Sequence, residues 1–169
     1  MKVSTFFSWV WRLASIIGFA AALLYTYTAF EPTVVVGFAP DRRPDTFISR
    51  EVLFYSCVAI FLINNTLVNL VAKLFPRVSG VSLPIPNAGA WQEHRDQLNE
   101  VVRNWLYCIM AAVNTVMGIS LVVLMKLNKQ VGVSRVGSYE WLLPICLGII
   151  AIVVVALPIR LLMKPDSED

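Results

Sequence analysis

The side chains that could do chemistry in this chain are few. The only histidine, His94, lies beside Glu93 and Asp96 in a polar stretch. Three cysteines, Cys57, Cys108 and Cys146, all sit in apolar runs without paired spacing. A metal site needs three or four converging ligands, so His94 reads as a solvated loop or helix-end residue. An odd cysteine count with no paired spacing argues against a disulfide framework, and a free cysteine in an apolar run behaves as a small hydrophobe. One histidine cannot hold a bis-histidine haem. No metal and no cofactor is expected. Asp45, Glu93, His94 and Asp96 are the candidates for acid–base work at the level of lipid headgroups, but their spacing is loose.

Four amides form the second group. Asn64, Asn65 and Asn69 fall in one apolar run, the last two a helical turn apart, and Asn114 falls in another with Gly118 a turn later. An unpaired amide in hydrocarbon costs several kcal/mol. These residues are therefore expected to face one another inside a helix bundle, or to line a polar path.

The elements that must carry them follow from composition. The chain of 169 residues is 57% hydrophobic and only 15% charged, with a mean hydropathy of +0.69. A soluble domain carries about 25% charged residues. The excess of apolar residues excludes an ordinary soluble enzyme and a disordered regulator. A net charge of +3, scattered along the chain, makes no stripe for tracking phosphates, so no nucleic-acid partner is expected. The chain reads as an integral membrane protein whose first partner is the lipid bilayer.

A hydrocarbon core of about 30 Å needs about 20 helical residues. Charge-free runs occur at Leu13–Phe30, Val52–Ala72, Asn104–Met125 and Trp141–Ile159. With their flanks they predict spans at 6–30, 52–72, 103–126 and 140–161 in a single membrane domain. Aromatic residues mark the ends: Phe6, Phe7, Trp9 and Trp11; Tyr25, Tyr27 and Phe30; Phe54 and Tyr55; Trp105 and Tyr107; Tyr139 and Trp141. Such rings favour the interface. Arg12 falls about two turns inside the first helix and is expected to snorkel to the headgroups. It also interrupts the apolar run, which is too long for a signal-peptide core, so the first span is expected to be retained.

The expected fold is all-α: a four-transmembrane-helix bundle with an extended first loop and an amphipathic segment before the third span. Ala14, Gly18 and Ala22 form a small-residue stripe on the first helix, the type of surface on which membrane helices pack or dimerise. No Asp, Glu, Lys or His lies in the interior of any span, which weakens proton- or cation-coupled transport. Eight Lys and Arg fall on the side shared by both termini and the middle loop, against six on the other. The positive-inside rule then puts the termini in the cytoplasm by a narrow margin.

The loops carry the remaining signal. The first, Glu31–Glu51, holds Thr33 to Phe38, then Pro40, Asp41, Arg42, Arg43, Pro44 and Asp45. It predicts a short extended segment and tight turns, with Asp45–Glu51 leading into the second helix and Ser49 as its N-cap. The middle loop, Lys73–Arg103, contains Leu83 to Asn87 with Pro84 and Pro86, which breaks any helix. It then runs from Trp91 to Arg103 with amphipathic spacing.

These loops resemble bacterial membrane proteins that share the domain of unknown function numbered 1648. In that family the first loop reads as an LPD segment, a His-Phe pair, then Gly-x-Pro-Asp and Ser-Lys. Val36, Phe38, Pro44, Asp45, Ser49 and Arg50 fall on this pattern. Pro86, Asn87, Trp91 and Arg95 fall on a second one, Pro-Asn followed by Tyr-Trp, acidic residues and Arg. The resemblance covers roughly residues 13–125. Gly37 stands where the family has histidine, Arg42 where it has glycine, and Ala90 where an aromatic precedes Trp91. The resemblance implies a bacterial inner-membrane protein, and some relatives are linked to immunity or envelope-stress signalling.

Together these features favour a non-catalytic four-helix membrane protein that works by contact, as an accessory subunit of a larger membrane complex or a sensor or immunity-like factor. Its partner is a membrane protein or a second copy. The expected contact loop comprises Phe38, Asp41, Arg42, Arg43, Pro44, Asp45, Ser49, Arg50, Pro86, Asn87, Trp91 and Arg95. The alternative is a small oligomeric transporter or channel with Asn64, Asn65, Asn69 and Asn114 along its path.

Overall fold

The computed structural model describes residues 3–40, 43–78, 84–129 and 139–165. The chain is mostly helical. In order, α1 spans Val3–Ala29, β1 Thr33–Phe38, β2 Pro44–Ser49, α2 Arg50–Leu74, α3 Ala88–Glu93, α4 Arg95–Lys129 and α5 Leu142–Leu162. A single 3-10 turn, Phe75–Arg77, ends α2, with Pro76 inside it. Four of the helices, α1, α2 with its 3-10 turn, α4 and α5, are long and apolar enough to cross a bilayer. The charge-free runs fall on these helices because nothing within them breaks the backbone ladder. Pro158, the one proline in the interior of α5, lies close to that helix's end.

α4 is the hub. It buries eleven residues, from Gln97 to Met125, whereas α2 buries only Ala72. α1 packs along α4 most extensively, and α5 and α2 flank α4 more lightly. α1 and α4 approach closely at Gly118. A Cβ there would lie 3.6 Å from Phe19 Cα and 3.9 Å from Ala22 Cβ. Three clusters stack along α4. Trp91, Leu98, Val102 and Leu161 form one end, Phe19, Leu23 and Leu121 the middle, and Phe30, Val34 and Met125 the other end. At 35 residues α4 is about 52 Å long, well beyond a hydrocarbon core of about 30 Å.

One expectation is corrected. The first loop is an antiparallel β-hairpin, so the chain is not purely helical. Val34 faces Ile48 and Val35 faces Phe47, pairing two β-branched and aromatic runs. The register slips at Val36 and again near Asp45, and these bulges hide the alternation that would announce the strands. The amphipathic segment expected before the third span leads directly into it. The chain breaks at His94 (φ −112°, ψ 48°), and from Arg95 the polar face is the first turns of α4 itself.

Candidate functional site

The loop residues expected to form one surface lie at opposite ends of the bundle. The hairpin joins the end of α1 to the start of α2, while Pro86–Arg95 joins the end of α2 to the start of α4.

At the hairpin end, the Ser49 side chain accepts from Val52 N at 3.2 Å and caps α2, satisfying one of the orphan donors of its first turn. Arg50 ties strand, helix and bundle together. Its backbone N donates to Pro32 O at 2.9 Å. Its Nη1 donates to Phe30 O at 3.2 Å, and its guanidinium lies 4.7 Å from the Tyr27 ring centre. Its Nε is buried with no partner among the described residues.

Asn128, near the end of α4, clamps the outer edge of β1. Val35 N donates to its Oδ1 at 2.8 Å, and its Nδ2 donates to Val35 O at 3.0 Å. The amide side chain thus imitates one residue of a third strand. Sequence reading missed Asn128, because an asparagine at a helix end resembles an ordinary polar terminus. The outer strand β2 is exposed along most of its length, with Phe47 55% accessible. Pro44 pairs with Phe38, and Asp45 sits exposed at the second bulge. Gly37 has a steric reason: a Cβ there would come within 2.8 Å of Thr46 Oγ1 and 2.9 Å of its Cβ. Arg43 lies in the hairpin turn, its carbonyl accepting from Ala39 N at 2.9 Å. Asp41 and Arg42 lie outside the described residues.

At the other end, Asn87 is the one described non-glycine residue with positive φ, at 55°. Its Nδ2 donates to Leu162 O at 2.9 Å. Trp91 is completely buried, and its Nε1 donates to Leu161 O at 3.1 Å. These two donors close over the last turn of α5, whose carbonyls have no helical partner. The Arg160 guanidinium lies 5.2 Å from the Trp91 ring. Arg95 closes α2 in the same way: its Nη2 donates to Val78 O at 2.8 Å and Phe75 O at 3.4 Å. Trp91 is therefore not a contact residue, because the indole is an internal latch with its only polar atom already bonded. Pro86 is exposed before the latch.

Between the ends, the four amides converge. Asn114, fully buried, accepts at Oδ1 from Asn64 Nδ2 at 3.1 Å and Asn65 Nδ2 at 3.2 Å. Asn64 also donates to Met110 O, and Asn69 donates to Asn65 O. Arg12 joins this chain: its Nη2 donates to Asn69 Oδ1 at 3.0 Å, and its guanidinium lies 4.4 Å from the Tyr107 ring. Half-buried Arg12 thus has both an acceptor and an aromatic face in reach on neighbouring helices. Nearer the termini, Thr5 donates to Glu100 at 2.5 Å, while Ser8 and Asn104 bond across α1 and α4.

The small-residue stripe divides. Ala22 approaches Gly118, but a Cβ at Gly18 would meet nothing within 4 Å, and Ala14 and Gly18 are exposed. They line a groove of about 580 Å³ along α1 and α4 that reaches Tyr139 and Trp141. The packing glycine is Gly118, opposite the stripe rather than in it. A second groove of about 410 Å³ lies at the termini end, between α1, α4 and α5. Among the described residues, no three His, Cys, Asp or Glu side chains are grouped to hold a metal; His94 Nδ1 faces Ala90 O at 3.1 Å. No family model, no curated protein and no solved structure matches this chain.

Proposed function

We propose that the chain is an integral membrane protein of four spans that works without catalysis, by contact with another membrane protein or a second copy through its β-hairpin. The observation that carries this reading is the asymmetry of the hairpin. β1 is clamped to α4 by Asn128, whereas β2 stands exposed with Phe47 at its centre. A two-stranded hairpin is marginal alone, and an open outer edge is the surface on which another strand adds. Such a protein serves as an accessory subunit of a larger complex or as a sensor or immunity-like factor. The excess of basic residues on the termini side supports cytoplasmic termini and hence a hairpin on the opposite face, in a bacterial inner membrane as the loop resemblance implies.

The transporter alternative has less support. The donors of Asn64, Asn65 and Asn69 are taken up by the Asn114 side chain and by backbone carbonyls, which argues against these amides lining an open polar path. The test is Phe47→Asp, made in the full chain and extracted in mild detergent. The exposed position lets the variant insert normally, and loss of a central aromatic contact weakens the complex by about tenfold or more. An unchanged native-gel mass and unchanged co-purifying chains would sink the hairpin as the contact element.

A further inference from the structure

The groove at the termini end is graded in polarity. Ser4, Gln97, Glu100 and Arg160 surround one end, at the starts of α1 and α4 and the last turns of α5. Phe7, Trp11, Trp105 and Ile152 line the other. The indole N–H groups in that wall are already bonded, Trp105 to Val153 O at 2.7 Å and Trp11 to Thr115 at 3.3 Å, so the wall offers apolar surface. From Gln97 to Cys108, both lining residues, α4 advances about 16 Å. That is close to half of a hydrocarbon core of about 30 Å, the depth of one leaflet.

Size selects the occupant. The groove holds about 410 Å³, within the range of about 300–1,000 Å³ for small-molecule sites. A hydrocarbon chain one methylene wide is of the scale that such a groove takes. The polar end carries both signs of charge. Glu100 is held by Thr5 at 2.5 Å, and Arg160 is held over Trp91 with Nη1 donating to Lys164 O at 3.2 Å.

We propose that this groove binds one acyl chain of a phosphoethanolamine phospholipid from the leaflet at the termini side. Its phosphate faces Arg160 and its ammonium faces Glu100. The inference rests on the reading that the helices span a bilayer.

The test uses the full chain reconstituted in vesicles of equal phosphatidylethanolamine and phosphatidylglycerol, released in mild detergent and weighed by native mass spectrometry. One phosphatidylethanolamine adduct per chain is expected, enriched about tenfold over phosphatidylglycerol, the ratio that 1.4 kcal/mol gives. Ala156→Trp fills the groove and removes the adduct. Ala151→Trp, at an exposed position of α5 outside the lining, keeps it. Glu100→Gln keeps the lipid but equalises the two headgroups. Absence of an adduct, equal adducts on the unaltered chain, or an adduct indifferent to both Ala156→Trp and Glu100→Gln overturns the proposal. A chain that fails to float with the vesicles overturns the spanning reading and this proposal with it.

Discussion

Arg12 and Asn69 form the contact whose removal tells most about how the bundle tolerates a charge. Asn69→Leu deletes the oxygen that accepts from Arg12 Nη2 at 3.0 Å. A hydrogen bond to a charged group contributes about 1.5–3 kcal/mol. The guanidinium keeps its place 4.4 Å from the Tyr107 ring, worth about 0.5–2 kcal/mol, so the variant should lose about 2 kcal/mol rather than collapse. Arg12→Met removes the same bond and the ring contact but also removes the charge. With an apolar pair in place of a polar one, the double variant Arg12→Met/Asn69→Leu should cost less than the sum of the singles, by about 1–2 kcal/mol, since breaking half of a pair leaves the other half stranded. Reversible unfolding in mixed micelles, followed by helical circular dichroism, measures all four corners of the cycle. Additivity within about 0.5 kcal/mol would refute the claim that Asn69 holds Arg12 inside the bundle, and would mean that Arg12 reaches the headgroups instead.

Two further substitutions test the ends. Trp91→Phe should cost about 1 kcal/mol by leaving Leu161 O without its donor, and Trp91→Ala about 3–5 kcal/mol by opening a cavity; equal losses in thermal unfolding would count against the latch. Gly37→Ala should cost about 1–3 kcal/mol through overpacking against Thr46, with Thr46→Gly restoring protection of the Val35 amide in hydrogen exchange. No recovery in the double variant would show that Thr46 is not the obstacle.

Much of the helical scaffold is legible in the sequence because a bilayer imposes a coarse demand: about twenty uncharged residues per span. The finer arrangement needs three dimensions. The alternation of β2 is hidden by the bulge at Asp45, and that of β1 by the bulge at Val36. The stripe Ala14, Gly18 and Ala22 announces close helix packing on α1, yet the glycine used for it is Gly118 on α4, because which face of a helix meets a neighbour depends on the partner. Trp91 at the edge of an apolar run reads equally as an interfacial anchor or a buried plug, and only the last carbonyls of α5 decide between them. The separation of the two loops, by contrast, was available from parity: two successive loops of a helical membrane protein face opposite sides, so Phe38–Arg50 and Pro86–Arg95 do not share one surface. Asn114 was visible as a polar residue in an apolar run, and its role as the shared acceptor of Asn64 and Asn65 follows from the helical phase of α2 against α4.

The central position of α4 has a consequence for how the protein is made. If the four helices span a bilayer as proposed, α1 and α2 are made and inserted before α4 exists, and they touch each other only sparsely in the finished bundle. During that interval Asn64 and Asn65 lack the Asn114 oxygen, and Arg12 lacks the Tyr107 ring. On that reading the half-made protein is held in the membrane by the apolarity of its first two helices, with the partners that α4 supplies still to come. Insertion machinery or a chaperone that shelters two-helix intermediates has the most to do at that stage, and arrival of the third span is the step that converts two loosely associated helices into a folded unit.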